Sequence, residues 1–186
     1  MDIEDSPHFS PILLVAVPQL GDPNFFHGVV LLHHHDAEGA FGWVLNHPTK
    51  LDLQEFSENQ GLSCHPNLRS QPVFQGGPVE LERGWVLHRD GVLGDGQELL
   101  PGLFASAGLE TLRRLLLQDR ADFRFFLGYA GWGPGQLEEE MKEGAWITVP
   151  AESRYVLDVP ADQVWNRILQ DLGIDPASLA LGRGLH

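Results

Sequence analysis

The chain has 186 residues, of which 42% are hydrophobic and 20% are charged. This composition excludes a disordered chain and predicts one globular domain over residues 1–175, followed by a flexible tail at residues 176–186. Twelve Lys and Arg residues against 26 Asp and Glu residues give a formal net charge of −14, so the average electrostatic field repels DNA and anionic membranes.

Strands dominate the first half of the sequence. Dense apolar and β-branched runs predict buried strands at Ile12 to Val17, Val29 to His33 and Ala40 to Leu45. A short polar loop that ends at Gly39 separates the last two strands, and this predicts an antiparallel hairpin. A short helix is predicted at Leu51 to Phe56, and an exposed loop follows at 57–71. Two short strands are predicted next, at Pro72 to Gln75 and at Gly84 to His88.

Helices gather in the second half. Ser106 is a suitable N-cap for a helix over Gly108 to Gln118, in which leucines recur at helical spacing. Phe123 to Tyr129 is the strongest later strand, and a glycine-rich turn connects it to a helix over Gly135 to Glu143. The remaining segments are predicted to be a strand at Trp146 to Val149 and a helix at Pro160 to Leu172.

The order of these elements predicts the fold class. Strands come first as hairpins and most helices come later, which is typical of an α+β fold rather than of a doubly wound parallel sheet. The strand–helix–strand order from Phe123 to Val149 adds one right-handed crossover. We therefore expect a mixed, strongly curved sheet with about four helices, mostly in the second half of the chain.

Cysteine content and apolar runs indicate the cellular setting. Cys64 is the only cysteine, so an intramolecular disulfide is excluded and a cysteine-based zinc site is disfavoured. The first apolar run, Ile12 to Val17, is too short for the core of a signal peptide. No apolar stretch approaches the ~20 residues that span a bilayer. These features predict a soluble cytoplasmic protein without a membrane contact.

A glycine-rich string runs from Leu127 to Glu138 and includes Tyr129 and Trp132. A strand, a glycine-rich loop and a helix in this order resemble a phosphate-binding loop. However, three glutamates open the helix and no Lys, Ser or Thr follows the glycines, so the string matches neither a P-loop nor a Rossmann fingerprint. We interpret it as a tight turn that packs Trp132 into the core and leaves Glu138 and Lys142 as a surface pair.

The string from His33 to Asp36 is the most metal-like motif. On a regular strand His33 and His35 point to the same side, so their imidazoles could share a metal ion with Asp36 as a third ligand. The end of a hairpin is also where polar residues meet solvent. A solvated histidine tract without metal is therefore the preferred interpretation, and His33 and His35 are weak alternative candidates.

A few other residues have side chains suited to acid–base or nucleophilic chemistry. His88 ends a predicted strand near Arg83, and Asp22 lies in the first turn, but a hydrogen-bonded structural histidine is the preferred interpretation. Cys64 beside His65 is interpreted as an ordinary exposed thiol. The sequence contains neither a Gly-x-Ser-x-Gly nor a His-Glu-x-x-His motif. It therefore predicts no catalytic residue and no cofactor.

Turn-forming residues supply a second kind of candidate. Asp22-Pro23 and Gly76-Gly77-Pro78 have the chemistry of turns, and a backbone role is the preferred interpretation. The alternative is that these loops meet at one rim and frame a ligand cleft with aromatic walls. The candidate rim residues are then Asp22, Phe25, Arg83, His88, Tyr129 and Trp132.

Four patches rich in glycine follow one another along the chain. They are Gly21 to Phe25 with Val29-Val30, Gly39 to Asn46, Gly76 to Val79 with Arg83-Gly84 and His88, and Leu127 to Glu138. In this order and at these separations the chain resembles the AlgH/YqgE family of bacterial proteins. The resemblance continues through Trp146, Pro150 and the region of Trp165, although Gly28 replaces the serine that relatives usually carry.

The resemblance implies a compact α+β fold with a sheet bent into a pseudo-barrel. The family name comes from a proposed role in regulating the transcription of alginate synthesis genes. No biochemical activity is assigned to the family, so the resemblance supplies no catalytic residues.

Charge and resemblance together predict a non-enzymatic binding or regulatory protein that acts through a protein partner or a small ligand, without direct contact with nucleic acid. The alternatives are an enzyme or small-ligand sensor with a site among the glycine-rich loops, and a structural or assembly factor. An enzyme requires a pocket in which at least two titratable groups with shifted pKa values are in contact. A partner-binding protein requires an exposed apolar patch.

Overall fold

The computed structural model describes residues 11–19, 22–93 and 96–180. The strands of this part of the chain are β1 (Ile12–Ala16), β2 (Val29–Asp36), β3 (Gly39–Val44), β4 (Pro48–Asp52), β5 (Pro72–Gln75), β6 (Val79–His88), β7 (Gln97–Leu100), β8 (Leu103–Ala107), β9 (Phe123–Trp132) and β10 (Trp146–Pro150). The α-helices are α1 (Leu53–Gln60), α2 (Leu109–Leu115), α3 (Gln136–Lys142), α4 (Val164–Asp171) and α5 (Pro176–Ala180). A π-helical turn forms at Arg154–Asp158, and 3₁₀ turns form at Pro66–Leu68 and Gly91–Leu93.

One sheet joins the ten strands. Its main path runs β10-β1-β2-β3-β9-β6-β8-β7, while β4 pairs with β5 and β5 pairs with β9. The pairs are antiparallel apart from β5 with β9, which are parallel. The fold is therefore mixed α+β, as predicted, and the sheet does not close into a barrel.

The segment β9–α3–β10 forms the predicted crossover. β10 lies at the far edge of the sheet, because β3, β2 and β1 stand between it and β9. Four successive antiparallel pairings separate the two strands, so β9 and β10 run in the same direction. Leu137 of α3 is fully buried against Val30 and Trp146 on one face of the sheet. The hand of this crossover remains a prediction.

Both faces of the sheet are buried, and the alternation of side chains along the strands explains how. Leu13, Leu31 and Trp43 belong to one hydrophobic cluster, together with residues of the π-helical turn, α4 and α5. Leu14 and Val30 point the other way and pack beneath α3. A third cluster lies beneath α1 and α2, against β5, β6 and β9.

Two glycines allow the segment around Gly77 to lie directly against β9. A Cβ atom on Gly77 would lie 2.1 Å from the carbonyl carbon of Tyr129, and one on Gly128 would lie 2.5 Å from the carbonyl oxygen of Gly77. Both residues also have positive φ angles, of 156° and 77°. Backbone therefore packs directly on backbone here, which supports the interpretation of these glycines as chain-packing residues.

Several boundaries differ from the sequence predictions. The sequence predicted no strand at Pro48–Asp52, where β4 pairs with β5, and helix α1 begins at Leu53 because the Asp52 carboxylate caps the amide of Glu55. Ser106 is not an N-cap, since it lies buried in β8 and the cap position of α2 is Gly108.

The first five residues of the expected C-terminal tail form a helix. Pro176–Ala180 forms α5, and Leu179 is only 4% exposed because it packs in the cluster that contains Trp165 and Ile168. The predicted start of the tail at residue 176 is corrected accordingly, and residues 181–186 lie outside the described part of the chain. Within the described residues, no helix has the length and the apolar content needed to cross a membrane.

Candidate functional site

A cleft of about 420 Å³ lies where the end of the β2–β3 hairpin meets β9. We call it the hairpin cleft. It is lined by His34, Asp36, Glu38, Gly39, Ala40, Phe41, Val79, Tyr129, Gly131 and Trp132.

Small residues shape the hairpin cleft. Gly39 closes the hairpin opposite Asp36, and a Cβ atom there would lie 2.3 Å from the carbonyl oxygen of Trp132, so only glycine lets the hairpin end approach β9. Phe41 pairs with Gly131 across the sheet, which leaves the space above Gly131 to the rings of Phe41 and Tyr129. The aromatic rings of the cleft thus stand beside two glycines, Gly39 and Gly131.

The rim of the hairpin cleft is acidic. Asp36 accepts a hydrogen bond from the amide of Glu38 at 2.8 Å and is paired with Nε2 of His34 at 2.7 Å. The amide of Glu38 and then His34 hold the pKa of Asp36 below its usual range, so this carboxylate stays ionised at neutral pH. Among the described residues that line the cleft, none is Lys or Arg.

The histidine tract does not form the metal pair that regular alternation would allow. It is not solvated throughout either, because His33 and His35 are half-buried and only His34 is exposed. A bulge between Leu32 and His34 shifts the register of β2 against β3. As a result His33 packs against Phe41 and Trp43, whereas Nε2 of His35 binds Oε1 of Glu138 at 2.8 Å.

His33 and His35 therefore do not share a site, and no group of three or more His, Cys, Asp or Glu residues within the described ranges could hold a metal ion. The expected surface pair of Glu138 with Lys142 is also replaced, because Glu138 pairs with His35 and Lys142 pairs with Glu139 at 2.9 Å.

The predicted rim residues fall into separate groups. Tyr129 and Trp132 both line the hairpin cleft. Phe25 stacks on Trp132 with ring centroids 5.9 Å apart and touches the edge of Trp146 on the buried side of the sheet. Asp22 shapes the preceding turn, where its carboxylate accepts from the amide and the side chain of Asn24.

Arg83 and His88 both lie on β6 but outside the lining of the cleft. The Arg83 guanidinium lies 4.6 Å from the ring centre of Trp85 and pairs with Glu80. His88 is 1% exposed. It is the last residue of β6, whereas Val79 is the first, and its Nε2 forms a hydrogen bond with the Ser106 hydroxyl at 2.9 Å. The structure thus shows His88 as a buried, hydrogen-bonded histidine and does not join it to Asp22.

Cys64 is half-buried rather than exposed, which corrects the sequence-based expectation. It packs against the cluster beneath α1 and α2. Burial raises the pKa of its thiol, so the thiolate that would act as a nucleophile is disfavoured.

A group of aromatic residues adjoins the hairpin cleft, and the sequence analysis identified only part of it. We call it the aromatic cluster, and it consists of His33, Phe41, Trp43, Trp85 and Tyr129. Phe41 is its hub, because its ring centroid lies 4.9 to 5.7 Å from the other four rings. The alternation of β3 signalled that Phe41 and Trp43 share a face, but the approach of Trp85 from β6 had no local signal.

Comparison with known proteins shows relatives along nearly the whole chain. A family model described as AlgH-like matches residues 13–177. A UPF0301 protein of Myxococcus xanthus is 42% identical over 179 residues, which cover 96% of this chain and 99% of the relative. A UPF0301 protein of Thioalkalivibrio sulfidiphilus is 37% identical and covers 97% of this chain and 98% of its own length.

Solved structures share the fold. The solution structure of the AlgH protein from Pseudomonas aeruginosa matches with a TM-score of 0.74 and 32% identity over 100% of both chains. The crystal structure of protein DIP2367 from Corynebacterium diphtheriae matches in fold with a TM-score of 0.66, covering 100% of this chain and 95% of the other at 23% identity. The order of the glycine patches thus identified the family correctly, and the chain belongs to the AlgH-like, UPF0301 family.

Proposed function

We propose that this protein is a non-enzymatic binding protein whose hairpin cleft holds a basic segment of a protein partner. A regulatory role, including an effect on transcription, is then exerted through that partner and without contact with DNA. The observation that carries the proposal is the pairing of carboxylates with aromatic rings in one cleft that has no Lys or Arg among its described lining residues.

The chemistry of the hairpin cleft suits a Lys or Arg side chain. Asp36 and Glu38 supply negative charge at the rim, and Phe41 and Tyr129 offer ring faces. An ammonium or guanidinium group over an aromatic ring gains about 0.5 to 1 kcal/mol at an exposed site, and carboxylates add charge-assisted hydrogen bonds. The net charge of −14 further steers a basic partner toward the protein.

A peptide titration tests this proposal. A fluorescently labelled nonapeptide of alternating Lys and Ala is titrated into the protein and followed by anisotropy at several salt concentrations. Neutralising the rim in the double variant Asp36→Asn, Glu38→Gln should weaken binding about tenfold, because two charge interactions are lost. The control is Glu55→Gln with Glu143→Gln, which changes the net charge equally at two exposed positions outside the cleft.

Equal weakening by the rim variant and the control would show only general attraction to an acidic surface and would contradict the proposal. Unchanged binding in the rim variant would contradict it as well.

An enzyme or small-ligand sensor is the second candidate, and one observation favours it. His34 and Asp36 are in contact within the hairpin cleft, which Tyr129 also lines, and such a pair is used for proton transfer in many enzymes. Both side chains are about half exposed, at 57% and 46%, which is typical of a solvated pair. Turnover in a substrate screen that His34→Gln abolishes would favour this candidate.

A further inference from the structure

Three ring nitrogens of the aromatic cluster are buried without a hydrogen-bond partner among the described residues. They are Nδ1 of His33, Nε1 of Trp43 and Nε1 of Trp85. Trp43 is the clearest case, since its whole side chain is inaccessible to solvent. Folded proteins pair nearly all buried polar groups, so three such atoms in one cluster need an explanation.

The other indoles of the chain are satisfied. Trp132 and Trp146 both donate to Oε2 of Glu140 at 2.9 Å, and Trp165 donates to the carbonyl oxygen of Ala16 at 2.9 Å. The protein has five tryptophans, and the two without a partner in the described structure are both in the aromatic cluster. Among the indoles of the described residues, the lack of a partner is therefore confined to this cluster.

The three rings lie together behind a single side chain. The centroid of the Trp43 ring is 5.2 Å from that of His33 and 5.3 Å from that of Trp85. The ring of Phe41 contacts all three and also lines the hairpin cleft. A molecule that enters from the cleft would therefore reach these rings by displacing the half-buried Phe41 side chain.

We infer that the aromatic cluster binds an uncharged planar heteroaromatic molecule with ring carbonyl oxygens, which enters through the hairpin cleft. The molecule is planar because the walls are flat rings that favour stacking. It carries carbonyl oxygens because an indole N–H only donates and therefore needs an acceptor.

The charges nearby disfavour an ionic ligand at the three inner rings of the cluster, those of His33, Trp43 and Trp85. Asp36 and Glu38 stand at the entrance and repel an anion. The Arg83 guanidinium over Trp85 disfavours a cation on the same ring. This inference goes beyond the proposed function and does not depend on it, because its occupant is a small molecule and not a basic segment of a partner.

Indole spectroscopy tests the inference with internal controls. The protein labelled with ¹⁵N at the tryptophan indoles is titrated with uracil, 2-pyridone and 2-quinolone at millimolar concentration. We expect saturable shifts of the Nε1–H signals of Trp43 and Trp85 with at least one probe. The signals of Trp132, Trp146 and Trp165 should stay in place, because their donors are already bonded. Benzoate is the anionic control and should shift neither group.

Ring-conserving variants complete the test. Trp43→Phe and Trp85→Phe remove the N–H and keep an aromatic ring, and each should weaken binding of the active probe about fivefold through loss of one neutral hydrogen bond. Trp165→Phe is the matched control, because Trp165 lies outside the hairpin cleft and the aromatic cluster, and it should leave the affinity unchanged. Trp85 is half-buried, so Trp85→Phe keeps the test valid if Trp43→Phe does not fold.

The inference is overturned if neither Trp43 nor Trp85 responds to any of the three probes, or if all five indole signals shift together. Affinity that is unchanged in Trp85→Phe would overturn it too. Because none of these measurements involves the basic peptide, failure here leaves the proposed function standing.

Discussion

At the scale of single residues, Glu140 holds two strands and a helix together. One carboxylate oxygen accepts from the indoles of Trp132 on β9 and Trp146 on β10, while the other accepts from Gln136 at 3.3 Å. Both indoles are about 5% exposed. The crossover that connects β9 with β10 is thus closed by one side chain of its own helix.

Removal of this carboxylate should be costly. In Glu140→Ala two buried indole donors lose their acceptor, and we expect the free energy of unfolding to fall by about 2 to 4 kcal/mol, as measured by chemical denaturation. Glu140→Gln keeps an oxygen that can accept and should lose about half as much. Glu139→Ala is the control, because its side chain is exposed and only pairs with Lys142. An equal loss in both alanine variants would attribute the effect to the helix and not to the indoles.

Gly77 is the second residue with a decisive role. Alanine at this position would place its Cβ 2.1 Å from backbone of Tyr129 at a positive φ angle, so we expect a loss of about 3 to 5 kcal/mol from strain and overpacking. Gly61→Ala is the control, since its φ angle is also positive but no atom lies within 4 Å of the added Cβ. That variant should lose only about 1 to 2 kcal/mol. Similar thermal denaturation of the two variants would refute the role of Gly77 as a close-packing residue.

At the scale of elements, periodicity predicted most strands and helices but not their irregularities. The β2–β3 hairpin was correctly predicted, because its apolar runs and polar loop lie close together in sequence. The bulge between Leu32 and His34 was not predicted, and it separates His33, which packs against Phe41 and Trp43, from His35, which binds Glu138. A bulge depends on how two strands settle against their neighbours, so one strand's own residues do not reveal it.

The same limit explains Ser106. A hydroxyl residue before a leucine-rich helix is typical of an N-cap, which is why the local pattern predicts one at Ser106. The structure uses the hydroxyl of Ser106 instead to bond His88 across the β6–β8 pair. A tertiary hydrogen bond thus overrides a local preference, and neither residue alone signals the other.

Helix α5 gives a test at this scale. Leu179 anchors the helix in the cluster that contains Trp165 and Ile168, and its carbonyl oxygen also accepts from the Gln19 side chain. Leu179→Ala should therefore lower the free energy of unfolding by about 2 to 4 kcal/mol. Leu172→Ala is the matched control, because Leu172 is 42% exposed, and it should lose less than about 1 kcal/mol. Equal denaturation midpoints would show that the segment from 176 contributes nothing, as a flexible tail would.

At the scale of the whole molecule, the family and the fold class were accessible from the sequence, but the candidate site was only partly so. Tyr129 and Trp132, two of the alternative rim candidates, line the hairpin cleft, and their role in ligand binding stays a prediction. Trp85 was missed as a contact of Phe41, because the two residues are 44 positions apart and meet only through the pairing of β3 and β6 with β9. Sites assembled by a central strand depend on topology, which local patterns do not encode.

Charge is the property of the whole molecule with the most direct consequence. With a net charge of −14 and few basic clusters, the protein should not bind duplex DNA at micromolar concentration and physiological salt. Lowering the salt concentration sharpens the test. A DNA-binding protein with a basic face binds more tightly as counterion release becomes more favourable, whereas repulsion here becomes stronger.

Anisotropy titration of a labelled DNA duplex at two salt concentrations measures the affinity and its salt dependence. The basic nonapeptide is the positive control, because an acidic protein should bind it more tightly as the salt concentration falls. Binding to DNA that tightens at low salt would require a basic face that dominates the net charge, and regulation would then have to be sought in direct contact with DNA instead of in a protein partner.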